Sequence, residues 1–284
     1  MNTLIAIIGK RNSGKTTLLV TLLSEISHLV DIVVIVSPTD EINDKMSNYV
    51  PRCFIHREPT EELIVNMMTV QRAQWKRGKG SHLAIVLDDC AHERKFFESK
   101  AFRNLAFNGR HMKITVFITM QFAIALPPAI RANTDVVFTM SERIIANRKR
   151  LYDAFFGMLE FTEFCQVMDV STQNYESLVL WNKATTSDLS DSLFWYATTS
   201  EQRMRASDGT LSLCAPRFFS LYEHYSIDED ADAAGKSFTE ATSRLYSIKK
   251  VDAEERTVIT RQVKKPTIPH DGLSDVPHNT NNST

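Results

Sequence analysis

Short apolar runs alternate with longer amphipathic segments over the first two hundred residues. The runs at Leu4–Ile8, 32–37, Leu83–Leu87, 114–119 and 135–140 are dense in Ile, Val and Leu and show no in/out alternation. Uniformly apolar strands of this kind are buried on both faces of a parallel sheet. Between them, residues 16–27, 61–76 and 96–108 carry apolar positions at helical spacing. Strand and helix in repeated alternation predict an α/β fold, a mostly parallel sheet flanked by helices. Pro127 and Pro128 interrupt the chain before a short turn or helix start at 129–133, and 142–155 predicts a basic helix. Two further strand-like runs, Ser177–Trp181 and 192–198, flank a polar loop and predict a hairpin at a sheet edge. Beyond about residue 200 the pattern weakens. Residues 211–225 are mixed and aromatic, 228–232 acidic, and 237–248 helical in pattern. From Pro266 onward the chain is polar and almost free of large apolar groups, and is expected to be disordered.

The first apolar run ends at Ile8 and leads into Gly9-Lys10-Arg11-Asn12-Ser13-Gly14-Lys15-Thr16, followed by Thr17 and an amphipathic helix. This is the phosphate-binding loop pattern in the strand–loop–helix context it requires. Gly9 and Gly14 permit backbone angles and a close approach that a Cβ would block. Successive N–H groups and the positive end of the following helix wrap phosphate oxygens. Lys15 neutralises charge on the β- and γ-phosphates, and the Thr16 hydroxyl reaches Mg²⁺. Lys10 and Arg11 are either further phosphate contacts or solvated loop cations.

A bound triphosphate needs a metal and a positioned water. The run Leu83–Leu87 ends in Asp88 and Asp89 at the carboxyl end of a strand, where open α/β sheets bind ligands. Asp88 is the candidate metal acid and Asp89 the candidate general base, with helix capping the competing role for Asp89. The strand at 31–37 is expected to lie between the loop strand and the acidic strand. An extra strand there suits the class of P-loop ATPases (RecA/ASCE-like) with an inserted central strand. In that class the catalytic position often holds Glu rather than the shorter Asp. Gln121, ending the next apolar run, is placed to sense the γ-phosphate or the lytic water; an ordinary strand-end amide is the alternative.

Composition narrows the field further. A chain of 284 residues with 43% hydrophobic content supports a real core. With 33 Lys+Arg against 34 Asp+Glu the formal charge is -1, so any nucleic-acid contact must use local patches. Cys53, Cys90, Cys165 and Cys214 form no CxxC, and the eight His show no paired metal spacing, which argues against a disulfide scaffold or zinc site. No apolar run reaches the roughly 18 residues of a membrane span, and the first residues lack the features of a secretory signal. The expectation is a protein that is not secreted.

Taken together, several motifs in one order resemble the genome-packaging ATPases of large double-stranded DNA viruses, of the nucleocytoplasmic type, within the FtsK–HerA superfamily. They include the phosphate-binding loop, Leu87-Asp88-Asp89-Cys90, Gly109-Arg110-His111 and Gln121. Leu126-Pro127-Pro128-Ala129-Ile130-Arg131 extends to Asp135. Val36-Ser37-Pro38-Thr39-Asp40, Val50-Pro51, Phe54-Ile55-His56, Gln71, Asn147-Arg148-Lys149-Arg150-Leu151-Tyr152 and Phe194-Trp195-Tyr196 also match. The likeness spans about residues 4–200.

This resemblance implies that Lys15, Thr16 and Asp88 bind MgATP, that Asp89 takes the catalytic-acid slot and that Gln121 takes the sensor slot at the end of the fourth strand. It implies a homo-oligomeric ring in which a neighbour supplies an arginine finger, Arg110 first and Arg131 second. Local pairing is the structural alternative for Arg110, and bonding to helix-end carbonyls for Arg131. It further implies double-stranded DNA and capsid or portal-vertex proteins as partners, at the virus assembly site in the host-cell cytoplasm, in the virion, or both. The chain then divides into an ATPase domain at 1–205, a small extension at 206–265 and a tail at 266–284. Two basic stretches qualify for contact with the DNA backbone. One is 71–80, with Arg72, Lys76, Arg77, Lys79 and Trp75; the other is 143–150, with Arg143, Arg148, Lys149 and Arg150. A P-loop kinase and a nucleotide-gated assembly protein without turnover are the rival readings. A GTPase is disfavoured, because Asn182-Lys183-Ala184-Thr185 lacks the Asp of a guanine-selecting loop.

Overall fold

The computed structural model describes residues 2–78, 80–90, 93–185, 188–199, 202 and 211–215. The acidic run 228–232, the helical pattern at 237–248 and the polar tail lie outside the described residues, as do Lys79 and most of the expected extension. Among the described residues, eight strands form one sheet: β1 (Leu4–Ile8), β2 (Ile32–Val36), β3 (Ile55–His56), β4 (Leu83–Leu87), β5 (Ile114–Met120), β6 (Val136–Thr139), β7 (Ser177–Trp181) and β8 (Leu193–Tyr196). The helices are α1 (Lys15–Ile26), α2 (Asp40–Met46), α3 (Glu61–Lys76), α4 (Arg94–Glu98), α5 (Lys100–Asn108), α6 (Pro128–Ala132), α7 (Ile145–Leu151) and α8 (Phe161–Ser171).

The spatial order is β3-β2-β4-β5-β1-β6-β7-β8. The first six strands are parallel, and β7 and β8 run antiparallel to their inner neighbours as the expected edge hairpin. Every residue of β4 and β5 is buried, which is why β4 is apolar throughout and β5 departs from that only at Thr115 and Thr119. The core continues into α1 through Leu18, Leu19 and Leu23, and into α5 through Phe102 and Leu105.

Several expectations are corrected. The strand at 32–36 does not separate the loop strand from the acidic strand in space. β5 fills that position, pairing with β1 on one side and β4 on the other, while β2 lies outside β4. Order along the chain is not order in the sheet, because parallel crossovers skip positions. With the two-residue β3 counted, Gln121 follows the fifth strand rather than the fourth. The helix expected at 96–108 is two helices. Ser99 is extended (φ -66, ψ 157) and its hydroxyl accepts from the Phe102 N–H, so it caps α5 instead of continuing α4. The basic helix begins at Ile145 rather than 142, because Glu142 accepts from the Ile144 N–H at 2.9 Å and from Asn147 Nδ2 at 3.1 Å. It then widens into a π turn at Tyr152–Phe156. α8 matches none of the elements expected from the apolar pattern.

Candidate functional site

Parallel register assembles the site. Ile8 lies beside Met120, and Leu87 beside Ile118. The loop after β1, the acids after β4 and Gln121 after β5 therefore emerge at one edge, the carboxyl end of the strands. Gly9 N–H bonds to the Met120 carbonyl at 3.0 Å, and Met140 N–H to the Ile8 carbonyl at 2.8 Å, pinning the loop's entry between two strands.

The loop's glycines are explained by contact and by angle. A Cβ on Gly9 would stand 2.5 Å from Ser13 Oγ and 2.7 Å from Met140 Cβ. Gly14 has φ 93, a left-handed conformation that costs glycine little, and Asn12 adopts φ 61. Lys15 donates from Nζ to the Gly9 carbonyl at 2.8 Å and to the Lys10 carbonyl at 2.9 Å, so its charge is centred on the loop. Burial lowers the Lys15 pKa, and the nearby Asp89 and Asp88 carboxylates oppose that shift.

Asp88 is 2% exposed. Thr119 Oγ1 donates to its Oδ1 at 2.7 Å and Ser37 Oγ to its Oδ2 at 3.4 Å. Burial raises the Asp88 pKa, with the Asp89 charge adding to the rise; the Thr119 and Ser37 hydroxyls and Lys15 pull it back. Asp89 is a non-glycine residue at φ 49, a backbone strain of the kind that collects at functional sites. Its N–H donates to Thr119 Oγ1 at 3.0 Å, and Gln121 Nε2 reaches both of its carboxylate oxygens at 3.3 Å. Lys15, Asp88, Asp89 and Gln121 are thus brought together. Thr119 ties the two acids to one another through a single hydroxyl.

A cavity of about 590 Å³ opens beside the loop. Asn12, Gly14, Lys15, Thr16 and Thr17 line one side, and Asn174, Tyr175 and Glu176 the other. Asn174 (φ 51) and Tyr175 (φ 65) are both left-handed, and Trp195 Nε1 donates to Glu176 Oε2 at 2.9 Å. Sequence reasoning missed this loop and the role of Thr119. The Asn in Gln173-Asn174-Tyr175 was the available turn signal, since Asn tolerates left-handed angles.

Arg110 and Arg131 lie elsewhere. Arg110 sits in the turn Gly109–Met112 ahead of β5, and Arg131 at the end of α6 ahead of β6; both are at the amino end of the strands. Arg110 is exposed and lines a small cavity of about 140 Å³ with Leu4, Asn133, Asp135 and Asn182. The second basic stretch is engaged internally at two of its four cations, while Arg143 and Arg150 are exposed. Arg148 is buried, donates to the Glu142 carbonyl at 2.6 Å and pairs with Asp169 of α8. Lys149 pairs with Asp153 at 2.8 Å and lies 4.4 Å from the centroid of the Tyr152 ring. Among the described residues, no helix is long and apolar enough to cross a membrane.

Comparison with known proteins bears on the family and the fold. The chain is 32% identical over 200 residues to a protein of Invertebrate iridescent virus 3, covering 70% of this chain and 77% of that one. The DNA-packaging ATPase of Sulfolobus turreted icosahedral virus superposes with a TM-score of 0.50 at 14% identity, covering 70% of this chain and 98% of that chain. The genome-packaging NTPase of Sulfolobus turreted icosahedral virus 2, solved with AMPPCP, gives a TM-score of 0.50 at 13% identity, with the same coverage of each chain. At those identities the structures establish the fold, a P-loop ATPase sheet. The family model described as Poxvirus A32 protein matches residues 2–154, just over half of the chain and all of the strands that carry the loop, the acids and Gln121. The chain accordingly belongs to the Poxvirus A32 protein family, the viral packaging ATPases that its motifs resemble.

Proposed function

We propose that the chain hydrolyses ATP to drive double-stranded DNA into a viral capsid, working as a homo-oligomeric ring at a portal vertex. The ATPase domain is taken as residues 1–205. What carries this reading is the shared hydrogen-bond system of Asp88, Asp89, Thr119 and Gln121 beside the phosphate-binding loop. A binding-only protein has no need of a second, strained carboxylate tied to a strand-end amide. Family membership and the packaging-ATPase fold support the same reading.

In this reading the loop amides and Lys15 hold the triphosphate, and the 590 Å³ cavity takes base and ribose against Tyr175. The Thr16 hydroxyl and Asp88 carboxylate are hard oxygen donors that fit Mg²⁺. When bound, Mg²⁺ neutralises charge shared by the β- and γ-phosphates. Asp89 accepts the proton of the attacking water, and Gln121, bonded to both Asp89 oxygens, orients that carboxylate and reports the γ-phosphate.

The test is steady-state ATP turnover with and without duplex DNA. Duplex is expected to raise turnover; rates indifferent to DNA would remove the motor reading. Lys15→Ala is expected to abolish turnover. Asp89→Asn should lower kcat by about 10²–10⁴ while still binding an ATP analogue. Wild-type turnover by Asp89→Asn would take the base role from that residue.

A further inference from the structure

The first basic stretch is more than a solvated face once the structure joins it to a second element. α3 runs back from the carboxyl end of β3 and finishes at Lys76, at the amino end of the sheet. The turn Gly109–Met112 finishes at the same end, ahead of β5. Between them lies a concavity of about 330 Å³ lined by Arg72, Trp75, Lys76, Asn108, His111 and Met112. Lys113 touches its Trp75 wall, its Nζ 4.3 Å from the centroid of that ring. We propose that this concavity binds the phosphate backbone of double-stranded DNA.

Three observations favour a polyanion. Arg72 and Lys76 are like charges four residues apart on one exposed helix face, an arrangement that destabilises an isolated helix by about 0.2–0.5 kcal/mol. Among the described residues neither they nor Lys113 has a carboxylate within 4 Å, whereas Arg94, Arg148, Lys149 and Lys183 each have one. Arg72 and Lys76 of α3 line a hollow whose other wall, Asn108, His111 and Met112, comes from an element far off in sequence, and Lys113 adds a third cation at the Trp75 ring. Unpaired cations of this kind keep their full attraction for a ligand in trans.

The tryptophan separates duplex from single strand. Single-strand binders offer open aromatic faces on which bases stack. Trp75 is covered by Lys113 and by the backbone of Gly80, where an added Cβ would lie 2.8 Å from a ring atom. The indole therefore fixes Lys113 by a cation–π contact and floors the hollow. Phosphates are gripped without base readout, as a sequence-indifferent motor requires. Arg110 faces the other side of the turn, toward Asn133 and Asp135, so the two sites do not compete for one side chain.

This assignment rests on the DNA-motor reading for the identity of the polyanion, and the test separates the two. Anisotropy of a labelled mixed-sequence duplex is measured against salt for the full chain, for the Arg72→Gln/Lys76→Gln double variant, for Lys113→Gln, and for an Arg143→Gln/Arg150→Gln control. Thermal unfolding checks that each variant folds. The Arg72/Lys76 double variant is expected to bind at least about tenfold more weakly at low salt. Its slope of log affinity against log salt should fall by roughly two, near 0.9 for each lost contact. Lys113→Gln should cost about half that slope change, and the Arg143/Arg150 variant should lose less affinity and less slope than the Arg72/Lys76 variant. Wild-type affinity and slope in the double variant would overturn the site, as would loss confined to the Arg143/Arg150 control. Binding of polyglutamate, in place of duplex, through Arg72 and Lys76 would overturn it in favour of an acidic protein. Absence of duplex binding by the wild type would overturn the motor reading itself.

Discussion

At the carboxyl end of the strands, Asp88 is 2% exposed, held by two hydroxyls and neighboured by a strained Asp89. At the amino end of the same sheet, Arg72, Lys76 and Arg110 stand in solvent with no ion-pair partner among the described residues. The difference is physical. A buried charge costs several kcal/mol unless it is bonded, so every donor around Asp88 has a fixed place and the acids keep one geometry. A solvated cation costs little to leave unpaired and fixes nothing by itself. The first arrangement suits bond-making on a small substrate. The second suits attraction of charge that arrives from another molecule, a neighbour's phosphates or a DNA backbone.

The comparison breaks hardest at Arg110. β5 is seven residues long and separates the Arg110 turn from Gln121 by roughly 20 Å at about 3.3 Å per residue. Arg110 therefore cannot reach the loop of its own chain, and as a finger it serves only a neighbour. Arg110→Ala is expected to lower kcat by about 10³-fold or more. Mixing it with Lys15→Ala chains should restore part of the turnover, since an intact loop then meets an intact finger at some interfaces. A confirmed mixed ring without rescue would pass the finger to Arg131, which stands at the same end.

Thr119 sharpens the other side. Its hydroxyl donates to Asp88 and accepts from the Asp89 backbone. Burial raises the Asp88 pKa and the Thr119 bond opposes that rise, so Thr119→Val should raise it further. If the ionised carboxylate is the working form, the acid limb of the ATPase profile then moves to higher pH. Loss of a hydrogen bond to a charged group, about 1.5–3 kcal/mol, should cost roughly 10- to 100-fold in kcat/KM. Thr119→Ser should restore both the rate and the limb. An unmoved limb in the valine variant would mean that Asp88 does not set it.

Much of the carboxyl end was legible in the sequence, because strand, loop and helix are contiguous there and each residue type has a local reason. Gly9 and Gly14 are dictated by crowding and angle, and Asp88 by its place after five apolar residues. What was not legible depends on distant partners. That β5 rather than β2 lies between β1 and β4 follows from pairing, not from order along the chain. Arg148 reads as one more cation of a basic helix until α8 brings Asp169, twenty-one residues on, against it. Trp75 and Lys113 meet only because α3 and the turn before β5 end at one place.

Tyr175 tests the boundary between the two regimes. It lines the cavity beside the phosphate-binding loop, yet it is 71% exposed, so it belongs to the carboxyl end by position and to the solvated class by environment. Its ring lies against Gly14, with Cδ1 3.3 Å from where a Cβ would be, and its backbone is left-handed at φ 65. An open aromatic contact contributes about 0.5–1.5 kcal/mol to a stacked base, and contributes it equally to ground and transition states. Tyr175→Ala should therefore raise KM for ATP by up to about tenfold and leave kcat within twofold. Tyr175→Phe should behave as wild type, because the ring and not the hydroxyl makes the contact. A fall in kcat without a change in KM would instead tie this loop to the fixed hydrogen-bond system of Asp88 and Asp89, and the line between the two kinds of charge would have to be redrawn around it.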